Sequence, residues 1–208
     1  MNPDMIINDF LVINERGLYC RYGDFYLDPK EASAHAVISH AHGDHAVRGN
    51  DYVYCTPATA AIMQHRYQKN AGNNIRTYDW SESFVLNGVS ISFIPAGHIL
   101  GSAQVLMEYK GIKYLYTGDY KLQDDVTCEK IEFVKADVLI SESTFADPAV
   151  QHPSASDEIK KLNLFNHNVL LGAYSLGKAQ RLISLISDHC PQRQVLVHHS
   201  ILGLNRFY

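Results

Sequence analysis

Short hydrophobic segments fill most of the first 140 residues, and their alternating or continuous apolar positions predict β-strands. The predicted strands cover residues 5–13, 18–27 with a turn at 22–24, 36–39, 84–94 with a turn at 87–88, 105–109, 112–116 and 137–140. Lys110-Gly111 separates two of them, as in a two-residue β-hairpin. A helix is predicted from Thr56-Pro57 to about Gln68, with Thr56 as its N-cap. Hairpins with an intervening helix predict a layered α/β sandwich.

The pattern changes near residue 147. Between Asp147 and Pro153 the chain has two prolines and few core-forming residues, which is typical of a domain boundary. Beyond it the periodicity predicts a helix over about 154–165, a strand over 169–171 and a helix over 178–189. The sequence therefore predicts one domain over residues 1–147 and the start of another over 148–208.

Composition and charge limit the function classes. The chain has 208 residues, of which 46% are hydrophobic and 19% charged, enough for a folded core. Its net charge of −4 does not favour nucleic-acid binding by itself, although bound metal ions and a basic groove can offset it. Its four cysteines include no CxxC pair, and neither a signal sequence nor a membrane span is recognisable. These features predict a cytoplasmic protein with reduced thiols and no membrane partner.

The run from His40 to His45 carries the strongest chemical signal. It places three imidazoles and a carboxylate directly after the predicted strand 36–39. His40 and His42 alternate, so both side chains can turn toward one divalent ion, and imidazole with carboxylate suits zinc. Gly43 allows a sharp turn that would direct Asp44 and His45 toward a second ion. The alternative is a histidine-rich surface loop with adventitious metal affinity.

Two later residues end apolar runs in the same way. His98 follows Ile94-Pro95-Ala96-Gly97, and Asp119 follows Tyr114-Leu115-Tyr116-Thr117-Gly118. Either residue alone is more typical of an ordinary turn. Together with the histidine loop, they are predicted to be strand-end metal ligands.

At these positions the chain resembles the metallo-β-lactamase fold family, whose HxHxDH signature is matched by His40, His42, Asp44 and His45. The resemblance implies an αβ/βα sandwich with two Zn²⁺ per site, Mn²⁺ being an alternative. It implies that His40, His42 and His98 bind one ion, that Asp44 and His45 reach the other, and that Asp119 bridges them. Asp28 corresponds to the family's early acidic residue and is expected to brace the metal loop.

The segment after Asp119 resembles the β-CASP subgroup, the nucleic-acid-processing branch of that family. Glu142, within residues 139–145, corresponds to its acidic motif, and residues 127–129 and 172–180 are similar to bacterial DNA ligase-associated exonucleases. Residues 172–180 are also similar to DNA-repair nucleases of the SNM1 and Artemis type. The resemblance implies a nucleic-acid substrate, with DNA favoured over RNA, and a DNA ligase or helicase as functional neighbours.

The chain also departs from that subgroup. β-CASP nucleases continue through a helical cap to a last histidine ligand, and no late histidine here has a matching context. The last four histidines of the chain are His167, His189, His198 and His199. We therefore expect a fragment of a longer protein whose second metal position lacks one ligand. An incomplete cap would expose apolar surface that could drive a homodimer.

Gly172 and Gly177-Lys178 have the spacing of a Walker A phosphate loop, but Ala179 stands where Ser or Thr would hold Mg²⁺. An NTPase is therefore disfavoured. Ser175 and Lys178, with N–H groups at the start of the helix, are predicted to hold a substrate phosphate. Simple capping of the helix by Ser175 or Gly177 is an equal alternative.

The combined prediction is a metal-dependent phosphodiesterase, most simply a DNA exonuclease. Its nucleophile would be a zinc-bridged hydroxide oriented by Asp44 or Asp119, with Glu142 as a further catalytic carboxylate. Three alternatives stay open: an RNA-processing β-CASP nuclease, a small-molecule metallo-hydrolase of the thioesterase or lactonase type, and a non-catalytic binding module.

Overall fold

The computed structural model describes residues 6–80 and 82–208. Its strands are β1 (Leu11–Asn14), β2 (Gly17–Cys20), β3 (Phe25–Leu27), β4 (His35–Val37), β5 (Tyr52–Cys55), β6 (Asn74–Thr77), β7 (Ser83–Leu86), β8 (Val89–Pro95), β9 (Ala103–Tyr109), β10 (Ile112–Tyr116) and β11 (Val138–Ile140). Its helices are α1 (Pro57–Tyr67), α2 (Ala155–Lys160), α3 (Lys178–His189) and α4 (His199–Leu202), with 3-10 turns at Gln68–Asn70, Lys161–Leu164 and Leu204–Arg206.

The chain divides into two compact units. Unit 1 comprises residues 1–124 and 128–142, and unit 2 comprises residues 125–127 and 143–208. The identity of residues 148–208 as the start of a β-CASP cap stays a prediction.

Unit 1 contains two sheets. Strands β1 to β6 form one sheet in sequential order, and the other sheet has the order β11-β10-β9-β8-β7. The hairpins at residues 87–88 and 110–111 join antiparallel neighbours, as predicted, whereas β3 to β6 and the pair β10–β11 are parallel. Parallel neighbours let several strands end at the same edge of a sheet, where their loops meet.

The hydrophobic core of unit 1 draws residues from both sheets. Leu27 and Val37 of the six-stranded sheet cluster with Phe93, Val105 and Met107 of the other, all at most 1% exposed. In β8 buried and half-buried positions alternate strictly, so one face packs inward along the whole strand. Burial on this scale holds the sheet edges, and the loops that leave them, in place.

Helix α1 begins and ends close to the prediction. The Thr56 hydroxyl accepts the Thr59 backbone N–H, Pro57 occupies the first turn, and the helix ends at Tyr67. Thr56 and Thr59 also donate their hydroxyl hydrogens to the Gly101 carbonyl at 2.7 and 3.0 Å. The helix start is therefore attached to the loop between β8 and β9.

The sequence pattern missed two strands and misplaced a third. The pattern did not indicate β5 or β6: β5 is only four residues long, and β6 is an edge strand whose side chains are largely exposed. Both form because parallel neighbours supply the backbone hydrogen bonds. The first strand was predicted to begin at residue 5, which lies outside the described residues, but it begins at Leu11. Just before it, the Phe10 N–H donates to the Ile7 carbonyl and closes a turn.

Unit 2 is helical, with a small core of Ile159, Leu162, Ile186 and Cys190. The predicted helix over 154–165 is α-helical to Lys160 and then continues as a 3-10 turn, and α3 forms as predicted. The predicted strand over 169–171 is wrong, because these residues have no paired strand in the structure. A strand needs a neighbour for its backbone groups, and local apolar sequence does not supply one.

Among residues 6–80 and 82–208, no helix has the length and apolar character required to cross a membrane.

Candidate metal centre

The histidine loop, residues 40–45, follows the end of β4. His40 is fully buried, and its Nε2 lies 3.0 Å from His42 Nδ1. The loop backbone is held by Arg66 of α1, whose guanidinium donates to the Ala41 carbonyl at 2.6 Å.

His98 joins this pair from the loop between β8 and β9. Its Nε2 lies 3.2 Å from His42 Nδ1, although 56 residues separate them in sequence. The Ser102 hydroxyl oxygen accepts the N–H groups of both His98 and Ile99, and Lys121 donates to the His98 carbonyl at 3.3 Å. These bonds fix the direction in which the imidazole leaves the loop.

Asp119 approaches from the end of β10. Its Oδ2 lies 3.6 Å from His98 Nε2 and 3.9 Å from His40 Nε2, while its Oδ1 lies 3.4 Å from His45 Nε2. One oxygen of the carboxylate therefore faces His98 and His40, and the other faces His45. This is the arrangement that a carboxylate bridging two ions requires.

The primary cluster, as we call it, consists of His40, His42, His98 and Asp119. One donor atom from each lies within 4.8 Å of the others. Tetrahedral ligands at roughly 2.0–2.1 Å from a zinc ion stand about 3.3 Å apart, close to the spacing of these ring nitrogens. Ring nitrogens turned toward one another place lone pairs together, an arrangement that a cation stabilises. The donor set therefore fits a divalent metal ion.

The pKa values agree with ligation. Burial, followed by the neighbouring imidazoles of His45, His42 and His98, holds the pKa of His40 well below its usual value. Burial, His42 and Lys121 lower the pKa of His98 to about 4. Both rings are therefore neutral near pH 7, the form that can coordinate a metal.

His45 has a different electrostatic environment. Burial lowers its pKa, but the hydrogen bond and charge of Asp28, together with Asp119 and Asp44, raise it overall to about 9. Burial raises the pKa of Asp119, and Glu142 and Asp44 add to that effect against the opposing charge of His45. Carboxylates thus accumulate on this side of the site, where a bound cation would offset their repulsion.

Asp28 contacts Ser39 and His45 through hydrogen bonds. Its Oδ1 accepts the Ser39 N–H at 2.7 Å, and its Oδ2 lies 2.8 Å from His45 Nδ1. Oδ2 also accepts the hydroxyls of Ser39 at 2.5 Å and Tyr116 at 3.1 Å. Asp28, His40 and His45 do place donor atoms within 4.8 Å of one another. With this many hydrogen bonds already made, the Asp28 carboxylate is better suited to orient an imidazole than to bind an ion.

The remaining predicted site residues lie in different places. Asp44 Oδ2 is 3.8 Å from His45 Nε2, and its side chain is 81% exposed. Glu142 accepts the Tyr120 N–H at 3.4 Å, and its own N–H donates to the Thr117 hydroxyl, so it borders the Asp119 turn.

Ser175 and Lys178 belong to unit 2, at the start of α3. There the N–H groups of Gly177 and Ala179 already donate to the Gln180 side chain and the Tyr174 carbonyl. The Lys178 ammonium lies 5.5 Å from the centre of the Tyr174 ring. Phosphate binding by Ser175 and Lys178 stays a prediction.

Sequence reasoning did not identify several supporting residues. Among them are Ser39, Arg66, Ser102 and Tyr116. Tyr116 could have been found, because strand alternation places it on the same face as the buried Tyr114 and directly before the Asp119 turn. Arg66 could not, since nothing local connects the end of α1 with the histidine loop.

Comparison with known proteins identifies the family. A model of the beta-lactamase superfamily domain matches residues 27–199. The chain belongs to this superfamily. The predicted metallo-β-lactamase α/β sandwich is confirmed, and so is the recognition of a metallo-β-lactamase-fold chain related to nucleases.

Its relatives are much longer proteins. One, named "Probable DNA ligase" from Opitutus terrae, is 30% identical over 200 residues, covering 92% of this chain and 19% of the relative. Another, named endoribonuclease ysh-1 from Neurospora crassa, is 29% identical over 195 residues, covering 74% of this chain and 23% of the relative. The chain thus spans about a fifth of the length of these curated relatives. Among solved structures, a protein of unknown function from Enterococcus faecalis V583 is similar with a TM-score of 0.49 and 14% identity, over 73% of this chain and 44% of that one.

Proposed function

We propose that this chain carries the metal-dependent phosphodiesterase centre of a nucleic-acid-processing enzyme. The main support for the proposal is that donor atoms of four side chains lie within 4.8 Å of one another, those of His40, His42, His98 and Asp119. Zinc is the metal we expect, with manganese as an alternative, because imidazole and carboxylate donors suit both. The nucleic-acid substrate is supported by relatives that are named for acting on RNA or for joining DNA.

Each residue would have a defined part in this chemistry. When bound, divalent ions lower the pKa of water and neutralise charge on a phosphate. His40, His42 and His98 would hold one ion through neutral ring nitrogens, and His45 with Asp44 would face a second position. Asp119 faces His40 and His98 through one oxygen and His45 through the other, and would therefore join the two metal positions.

Two carboxylates could act as general bases in this proposed reaction. Asp44 is exposed beside His45, and Asp119 is one-third exposed between the imidazoles. Either can accept a hydrogen bond from an attacking water and orient it toward phosphorus. Glu142 borders the turn that carries Asp119 and raises its pKa, so we infer that it tunes this carboxylate.

DNA is the substrate that we favour, and exonucleolytic cleavage is the mode. The relative named as a DNA ligase aligns with 92% of the chain, against 74% for the endoribonuclease. The exonuclease mode rests on the resemblance of residues 127–129 and 172–180 to DNA ligase-associated exonucleases. A ligase or helicase neighbour and a homodimer are further predictions. RNA processing is the second candidate, because a second endoribonuclease relative, from Aspergillus fumigatus, is 32% identical over 194 residues.

The decisive experiment is cleavage of end-labelled single- and double-stranded DNA and RNA in zinc or manganese. We expect DNA to shorten from one end and the Asp119→Ala variant to be inactive while still folded. The matched control is Asp124→Ala, which removes an exposed carboxylate of the same unit that pairs with Lys130. Preference for RNA would select the second candidate. Wild-type cleavage by Asp119→Ala would remove the assigned role, and Asp119-dependent hydrolysis of small esters alone would favour a thioesterase or lactonase.

A further inference from the structure

Tyr116 connects the two sheets directly behind the metal centre. It is the last residue of β10, in the five-stranded sheet, and its hydroxyl donates to Asp28 Oδ2 at 3.1 Å. Asp28 follows β3 in the other sheet, and the bond joins residues 88 apart in sequence.

Asp28 is held in an unusual backbone conformation. Its φ is +43°, in the left-handed region that costs free energy for a residue with a side chain. The tertiary contacts therefore impose this geometry, and they aim the carboxylate at His45 Nδ1, 2.8 Å away. Since a carboxylate only accepts hydrogen bonds, this contact places the hydrogen on Nδ1 and leaves Nε2 facing Asp119 and Asp44.

We propose that Tyr116 is a positioning residue which, through Asp28, fixes the ring orientation of His45 and thereby sets the affinity of the His45 side for its metal ion. The inference rests on the proposed metal centre. The His45 side is the more sensitive side, because the primary cluster has three imidazoles while His45 is joined there by carboxylates only. Loss of a hydrogen bond behind a ligand typically lowers metal affinity by about 10- to 100-fold.

The test compares Tyr116→Phe with Tyr114→Phe. Both substitutions remove one hydroxyl from β10, but the Tyr114 hydroxyl accepts the Ile7 N–H, away from the ligands. Zinc titration against a competing chelator measures the two binding steps. The nitrogen-15 chemical shifts of the His45 ring, recorded in the metal-free protein above pH 9 so that the ring is neutral, report its tautomer and hydrogen bond directly.

We expect Tyr116→Phe to weaken the lower-affinity zinc step about tenfold, to leave the tighter step unchanged and to shift the His45 ring signals. Tyr114→Phe should do none of these. Because Tyr116 acts through Asp28, adding Tyr116→Phe to Asp28→Asn should cost no further affinity and shift the His45 signals no further.

Unchanged His45 signals in Tyr116→Phe would overturn the inference, as would equal weakening of both zinc steps or additive losses in the double variant. A wild-type chain that binds neither zinc nor manganese would instead refute the proposed function, while the His45 signals would still report on Tyr116. If the wild type binds a single zinc ion, the His45 ring signals alone test the inference. A shift of these signals in Tyr116→Phe would support it, and unchanged signals would overturn it.

Discussion

Unit 1 and unit 2 differ in the size of the apolar core that each one buries. In unit 1 two sheets enclose a large core, in which Phe93, Val105 and Met107 are fully buried. In unit 2 the described core is small and consists of Ile159, Leu162, Ile186 and Cys190. All residues of the primary cluster belong to unit 1. The candidate centre is therefore built on elements that share a well-packed core, which gives its donor side chains fixed positions.

The largest expected effect comes from opening the core of unit 1. Phe93→Ala should lower the free energy of unfolding of this unit by about 3–5 kcal/mol, because it leaves a cavity between the sheets. Trp80 is the single tryptophan of the chain and packs against this core, so its fluorescence reports the transition of unit 1.

The matched control is Phe133→Ala, in the same unit, where the side chain is 81% exposed. It should change stability by less than about 0.5 kcal/mol. Equal losses for the two substitutions would contradict the assignment of Phe93 to the core.

A smaller loss of folding stability is expected from a core substitution in unit 2. Ile186→Ala removes a core side chain of α3 and should cost about 2–4 kcal/mol locally. Helical circular dichroism should fall earlier on heating, because three of the four α-helices of the described residues lie in unit 2, while the Trp80 transition stays in place.

Leu170→Ala, at a fully exposed position of the same unit, serves as the control and should leave both signals unchanged. If Ile186→Ala moved the Trp80 transition as far as the helical signal, the two units would unfold as one. The contrast between them would then fail.

The smallest loss of folding stability is expected from a substitution in the turn that contains Asp119. Gly118 has a φ of +53°, and a Cβ there would lie 2.8 Å from Ser39 Cβ and Oγ. Gly118→Ala should therefore cost about 1–3 kcal/mol and weaken zinc binding, since Ser39 also supports Asp28.

The variant Gly111→Ala separates the cost of backbone strain from the cost of the close approach to Ser39. Gly111 has a φ of +78° in a hairpin where no atom lies within 4 Å of the place that an alanine methyl group would take, so only backbone strain is added. The excess loss in Gly118→Ala measures the close approach to Ser39. Equal losses and unchanged zinc affinity in both variants would show that this contact does not support the site.

Much of the fold could be predicted because its signals are local. The alternation in β8, the turns at 87–88 and 110–111, and the Thr56 cap of α1 each depend on neighbouring residues, and each forms as predicted. Strands β5 and β6 were missed because parallel partners stabilise them more than their own patterns do. The segment 169–171 failed for the opposite reason, since its apolar residues find no partner strand.

The donor types of the candidate centre and the closely spaced pair His40 and His42 can be read from a short segment, because strand alternation and residue chemistry are local properties. That His98 and Asp119 meet this pair, and that Tyr116 supports Asp28, follows from the tertiary structure. These contacts join residues far apart in the chain, and their geometry depends on how two sheets pack over one core. No local pattern encodes that packing.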